Sequence, residues 1–227
     1  MCGRITLRTL EGRRLEWVAT RIGTIVPRYN IAPSQDVLTI LPDGERREVR
    51  SIRWGLIPWW SKEAKGLINA RVETIDTKPS FKESFERRRC LILADGFYEW
   101  ERIGKISQPY YFQMKDQAMF AFAGVWDRWQ QQNGEIVMSC AIITTVANEL
   151  LAEIHTRMPV ILESSVHDRW LDDNAELADL KALLVPFPAD QMMSHAVSYD
   201  VNDPKVDEAR LISPARPNIG VTLPLFQ

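Results

Sequence analysis

The sequence predicts an α+β fold: a single domain around a curved, mainly antiparallel β-sheet or barrel with flanking helices. Three observations carry that expectation. Strand-like runs rich in β-branched and aromatic residues outnumber helical patterns. The two kinds are interspersed without the regular strand-helix-strand alternation of a parallel sheet. Turn signals divide the runs at short intervals. A chain of 227 residues, 45% of them hydrophobic, is enough to bury the core of one large domain.

The elements follow in order. A helical pattern covers about residues 11–22. "DVLTIL" (36–41) and "REVRSIRW" (47–54) flank "PDGE", where Asp43-Gly44 signals a hairpin. A helix is expected over 79–89. Four strand candidates come next: "RCLILADGFYEWE", "PYYFQM", "MFAFAGVW" and "IVMSCAIITT", the last two separated by the turn Gln132-Asn133-Gly134-Glu135. A helix at 147–154, the strand "RMPVILE", helices at 165–172 and 175–184, and the strand "MSHAVSYDV" complete the domain. The leucine and alanine stripe of the last helix reads as core contact. The domain is expected over residues 2–203, with 204–227 an irregular tail packed on or near the surface. No internal repeat or low-complexity segment divides the chain.

Composition excludes several functions. No stretch of about 18 apolar residues exists, and the N-terminus lacks the layout of a secretory signal, so the expected location is the cytoplasm, without a membrane partner. Cys2, Cys90 and Cys140 form no CxxC pair and share no ligand spacing with His155, His167 and His195, so no metal is expected. No Gly-rich phosphate loop, GxSxG or HExxH is present, and no cofactor is expected. Any catalysis must then use side chains alone. The net charge of −2 hides an asymmetry: residues 1–110 hold 20 Lys/Arg against 14 Asp/Glu, residues 111–227 hold 8 against 16. Twenty of the 28 basic residues are Arg, suited to bidentate phosphate contacts. From charge alone, a basic face and an ordinary solvated surface stand even.

Cys90 and Cys140 sit in apolar runs and read as core; Cys2 does not. Were Met1 excised, Cys2 would carry an α-amine of pKa about 7.7–8.0 beside a thiol of about 8.5, each partly nucleophilic near neutral pH. The amine adds to an aldehyde as a Schiff base and the thiol closes on it as a five-membered thiazolidine, an intramolecular step of high effective concentration. An amide carbonyl is the alternative electrophile, as in N-terminal-nucleophile hydrolases.

Other stretches bear on that choice. "RYNIAP" (28–33) reads as an ordinary loop. In "WGLIPWWS" (54–61), adjacent Trp59 and Trp60 on an extended strand would face opposite sides, leaving one exposed. "INARVET" (68–74) sets Asn69, Arg71 and Glu73 at period two, on one face of an extended segment. Glu99, amid the aromatics of "DGFYEW", is a candidate proton donor or acceptor with a raised pKa; the plain alternative is a carboxylate turned to solvent. His155 and Arg157 fall between a helix and an apolar strand, and a lone His is more often structural than functional.

Cys2 after Met1, "YNIAP", "WGLIPWW", "INARVET", "DGFYEW" and "IHTRMP", in this order and at these intervals, resemble the SRAP family, named for SOS response-associated peptidase. The likeness covers about residues 2–200. It implies a protein that crosslinks to abasic sites in single-stranded DNA, preferring single strands and junctions to duplex and acting as a monomer. By the same resemblance, Cys2 is the nucleophile that captures the ring-opened sugar aldehyde as a thiazolidine. Glu99 is the acid/base, His155 assists proton transfer at the sugar hydroxyl, and Asn69 orients the Cys2 amine and the sugar. Arg71, with Arg4 and Arg157, contacts flanking phosphates, Thr144 lies near the site, and Trp59 or Trp60 packs at the lesion and blocks a second strand. The family's peptidase activity is a secondary reading. Two competitors are a glutamine amidotransferase-like hydrolase, which also begins Met-Cys-Gly, and a non-catalytic single-strand-binding module. The hydrolase's oxyanion signature is missing, since Asn133-Gly134 lies in a hairpin turn.

Overall fold

The computed structural model describes residues 2–10, 24–44 and 46–215. In chain order the strands are β1 (Ile5–Leu7), β2 (Arg28–Ile31), β3 (Asp36–Asp43), β4 (Arg46–Trp54), β5 (Asn69–Arg71), β6 (Arg89–Ala94), β7 (Gly96–Ile103), β8 (Ile106–Met114), β9 (Phe120–Gln130), β10 (Ile136–Val146), β11 (Arg157–Pro159), β12 (Ile161–Leu162) and β13 (Met192–Ala196). The helices α1 (Lys82–Arg87), α2 (Glu149–Ala152), α3 (His167–Leu171) and α4 (Leu177–Ala182) are short.

Five strands close on themselves. β3 pairs with β4 and β6, β6 with β9 and β9 with β10, all antiparallel, and the parallel pairing of β10 with β4 seals the ring. Closure explains why β6 after Arg89 reads as an apolar run rather than an alternation: all six of its residues, Arg89 included, are buried, between the barrel's interior and the elements packed outside. Beside the barrel lies a second, antiparallel sheet in the order β13-β8-β7-β1-β2. This agrees with the expected curved sheet or barrel with flanking helices.

The short helices fall inside the expected spans, because their packing faces are only one or two turns long: α1 buries Phe85, α3 Trp170 and Leu171, α4 Leu180. The helical pattern at 11–22 lies outside the described residues. Three local expectations change. "RCLILADGFYEWE" is two strands, divided at Asp95, whose buried carboxylate accepts from Thr6 Oγ1 (2.5 Å) and from the backbone N–H groups of Arg8 (2.6 Å) and Thr9 (3.2 Å). The backbone turns there to feed one strand to each sheet. "RMPVILE" likewise divides into β11 and β12, on β10 and β9 respectively. "RYNIAP" is not a loop: Arg28–Ile31 form β2, the edge strand against β1.

The chain beyond residue 203 is tied down as far as it is described. Leu211 is fully buried with Tyr98, Tyr111, Val197 and Val201 in a second small core, so this stretch contributes packing and does more than cover surface.

Candidate active site

Cys2 precedes β1, and Glu99 lies on β7, the strand paired with it; the N–H of Tyr98, one residue before Glu99, donates to the carbonyl of Arg4 at 3.0 Å. Sequence separation of nearly the whole first half of the chain is thus closed by one pair of strands. From the other side, β5 runs parallel to β10 and brings Asn69 to the same place: its Nδ2 donates to the carbonyl of Cys2 at 2.9 Å. The Oδ1 of Asn69 is buried without a hydrogen-bond partner among the described residues, a state costing about 1–3 kcal/mol unless a ligand supplies a donor.

Cys2 departs from the sequence expectation. It is fully buried within the main apolar cluster, its thiol 3.9 Å from the carbonyl oxygen of Arg4. Burial first, and the nearby Glu99 carboxylate second, push the thiol well above its ordinary range, so it rests protonated rather than partly as thiolate. Glu99 is 2% exposed, which overturns the plain reading of a solvent-facing carboxylate. Burial raises its pKa from 4.5 to about 7. A carboxyl of that kind holds and releases a proton at neutral pH with similar ease.

His155 follows α2. Its Nδ1 lies 3.0 Å from the backbone N–H of Arg157 and 3.2 Å from the Arg157 carbonyl oxygen; with Nδ1 accepting from the N–H, the shorter contact, the neutral ring carries its proton on Nε2. Burial moves its pKa below 6.5, so neutral imidazole is the form at pH 7. Arg157, on β11, is engaged: Nη1 donates to Glu73 Oε1 at 2.5 Å, and Nη2 to the Thr144 carbonyl at 2.5 Å and the Thr144 hydroxyl at 3.3 Å. Thr144 is buried opposite Arg71 in the β5–β10 register and joins Arg157 to the strand of Asn69. Arg4 is engaged more completely. Nη1 donates to Asn30 Oδ1 (2.6 Å) and the Val201 carbonyl (2.5 Å), and Nη2 to the Asn202 carbonyl (3.1 Å). Its fork therefore faces the protein, against the phosphate contact expected for it.

Asn69 and Arg71 share a face, both lining an open cleft of about 540 Å³ with Thr74, Thr77, Lys78 and Phe81. Glu73 leaves that face, because the strand ends at Arg71 and the chain turns, carrying its carboxylate to Arg157. Arg71 is exposed, and no hydrogen bond or ion pair to another described residue holds its guanidinium, although, behind the Arg157 hydrogen bond, its charge helps keep the Glu73 carboxylate below the ordinary range; Lys78 Nζ lies 5.3 Å from the Phe81 ring centroid. "TKPSF" carried no chemical signal beyond one lysine, and its place in the cleft comes from the turn alone.

Trp59 and Trp60 are both exposed, at 56% and 50%. The argument from strand alternation does not apply, since they occupy a turn. Their loop is pinched at its base by the Leu56–Leu67 bridge, where Gly55 and Gly66 touch: a Cβ on Gly66 would lie 2.6 Å from the Gly55 carbonyl oxygen. Trp59 is fixed, its N–H bonded to Asp127 and its Nε1 to Glu83 at 2.8 Å. Trp60 lines a neighbouring recess with Pro58, Lys62 and Lys65.

A protonated thiol enclosed beside a carboxyl poised near neutrality, at the seam between a closed barrel and a second sheet, defines a thiol-centred site, and Asn69, bonded to the Cys2 carbonyl, links it to the cleft lined by Arg71 and Lys78. Comparison with known proteins gives that class its family. The chain belongs to the SRAP family: the family model described as SOS response associated peptidase (SRAP) matches residues 1–204. Among similar proteins, the abasic site processing protein YoqW of Bacillus subtilis is 42% identical over 222 residues, 93% of this chain and 99% of that one. The abasic site processing protein HMCES of Mus musculus is 32% identical over 231 residues, 83% of this chain and 65% of its own. A crystal structure of a protein from Bacteroides thetaiotaomicron superposes with a TM-score of 0.81 at 26% identity, covering 95% of this chain and all of that one. No described helix is long and apolar enough to cross a membrane, and no cluster among the described residues suits a metal ion.

Proposed function

We propose that this chain processes abasic sites in single-stranded DNA by covalent capture, Cys2 condensing, once Met1 is removed, with the ring-opened deoxyribose aldehyde to form a thiazolidine that shields the lesion. The supporting observation is the Glu99 carboxyl, buried and raised to about 7 beside the Cys2 thiol. The names of the similar proteins support the substrate class.

The proton balance closes on Glu99. The Cys2 amine adds to the aldehyde carbon to give a carbinolamine; Glu99, protonated, gives its proton to the departing hydroxyl, releasing one water and leaving an iminium. The thiol sulfur then bonds to that carbon and its proton passes to the Glu99 carboxylate, restoring the acid. A protonated resting thiol is therefore compatible with the chemistry. Neutral His155 offers Nε2–H to the sugar hydroxyl during ring opening, and the unpartnered Asn69 Oδ1 accepts from the α-amine or the sugar. Arg71 holds a flanking phosphate, joined by Arg157 where DNA displaces Glu73. Trp59 and Trp60 offer faces for unpaired bases. Arg4 is withdrawn from the phosphate set.

The test is incubation of Met1-free protein with an abasic single-stranded oligonucleotide. An adduct that survives heat and SDS, with the summed mass of the partners less one water, is expected from the wild type and is lost in Cys2→Ala and when Met1 is retained. An intact wild type that forms none overturns the reading, and release of ammonia from glutamine would favour the amidohydrolase alternative.

A further inference from the structure

The segment at Val201–Asp207 makes contacts out of proportion to its irregular backbone. Asp207 accepts the backbone N–H groups of Tyr29 (2.5 Å) and Asn30 (3.0 Å) and pairs with Arg28. Asn30, fully buried, donates through Nδ2 to the carbonyls of Val201 (3.3 Å), Asp203 (3.0 Å) and Val206 (2.7 Å), while its Oδ1 accepts from Arg4. Arg4 reaches the carbonyls of Val201 and Asn202, and its own carbonyl takes the Tyr98 N–H and lies 3.9 Å from the Cys2 sulfur. The side-chain Oδ1 of Asn202 accepts from Trp100 Nε1 at 2.8 Å, and Trp100 directly follows Glu99 on β7. One short segment thus grips Arg4, two residues after Cys2, Trp100, next to Glu99, and the edge strand β2. Around the fully buried Asn30 these links favour one arrangement, because an unmade bond there leaves a desolvated group.

We propose that Val201–Asp207 is a positioning clasp that holds Cys2 in register with Glu99, with Asp207 its anchor and Asn30 and Arg4 its links. The assignment rests on the capture chemistry above for its catalytic consequence, and on geometry alone for the clasp. It gives Arg4 a role that faces inward, and it extends the working part of the chain past residue 204, where the family match ends.

The experiment compares Met1-free wild type with Asp207→Ala and Asp207→Asn. Peptide mapping follows iodoacetamide alkylation of Cys2, with buried Cys90 and Cys140 as internal controls. In Asp207→Ala, Cys2 alkylation is expected to rise about tenfold, as the loss of charge-assisted bonds to two backbone donors would allow, with the two controls unchanged. The adduct-forming rate at saturating abasic DNA falls by about the same factor, while the half-saturating DNA concentration moves less than about twofold. Asp207→Asn, which keeps an acceptor, recovers most of both. Unchanged Cys2 alkylation, or equal exposure of all three cysteines in both variants, overturns the clasp. Should Asp207→Ala not fold, Asn202→Ala removes only the Trp100 contact; a saturating rate equal to wild type then overturns it. A wild type that forms no adduct sinks the capture chemistry and leaves the alkylation comparison to decide the clasp.

Discussion

Glu99→Gln should make the protein more stable at pH 8 while disabling it. The folded state holds this carboxyl at about 7 against 4.5, because burial disfavours the charged form. The sign follows from linkage: the group favours folding fully below 4.5, and that contribution is lost as pH rises to about 7. The difference corresponds to roughly 3 kcal/mol, a ceiling, reached only above both values. Glutamine keeps the shape without the charge. Urea denaturation at pH 8 should therefore show Glu99→Gln more stable by up to about 3 kcal/mol, or by roughly 6–10 °C in Tm for a chain of this size. At pH 5 the gain should largely vanish, since wild-type Glu99 is then protonated in the fold. Adduct formation should slow by about a hundredfold at either pH, the usual scale for losing a general acid. A variant that is no more stable than wild type at pH 8, or that gains equally at pH 5, would refute the placement of a destabilised carboxyl at this site.

Three further outcomes follow from named contacts. Arg71→Ala should weaken binding of abasic single-stranded DNA and reduce the slope of log affinity against log salt by about one, measured by fluorescence anisotropy across a salt series. Trp60→Ala should weaken the same binding by about 1–3 kcal/mol with Tm nearly unchanged, because its ring is half exposed and makes little of the core. Gly96→Ala should lower stability by about 1–3 kcal/mol by thermal melt, because the added Cβ would fall 2.0 Å from the Tyr111 hydroxyl oxygen in a filled interior.

Local chemistry was legible in the sequence and long-range pairing was not. Asp43-Gly44 gives a hairpin from its own conformational preference: Gly44 has φ of 58°, and Asp43 pairs with Arg46 across it. Glu99 could be singled out only as an acid set in an apolar, aromatic run; that it is buried rather than turned to solvent comes from its tertiary surroundings, since Tyr98 and Trp100 on either side of it face the other way. Barrel closure depends on a parallel register between Trp54 and Cys140, and neither run carries any mark of the other. For the same reason the burial of Cys2 was invisible, since its cover comes from strands far along the chain. The arginines misled in a different way. Residue type shows that a guanidinium can grip phosphate, but only tertiary structure shows that Arg4 already grips Asn30 and two carbonyls. Period-two reasoning failed at Glu73 because the segment stays extended for only three residues.

The clasp has a temporal corollary for a ribosome-made chain. The elements that enclose Cys2 include β7, complete at residue 103, and a fastening near residue 207. On a chain made from its amino end, the cover of this thiol is finished only after those residues have emerged, long after Cys2 itself.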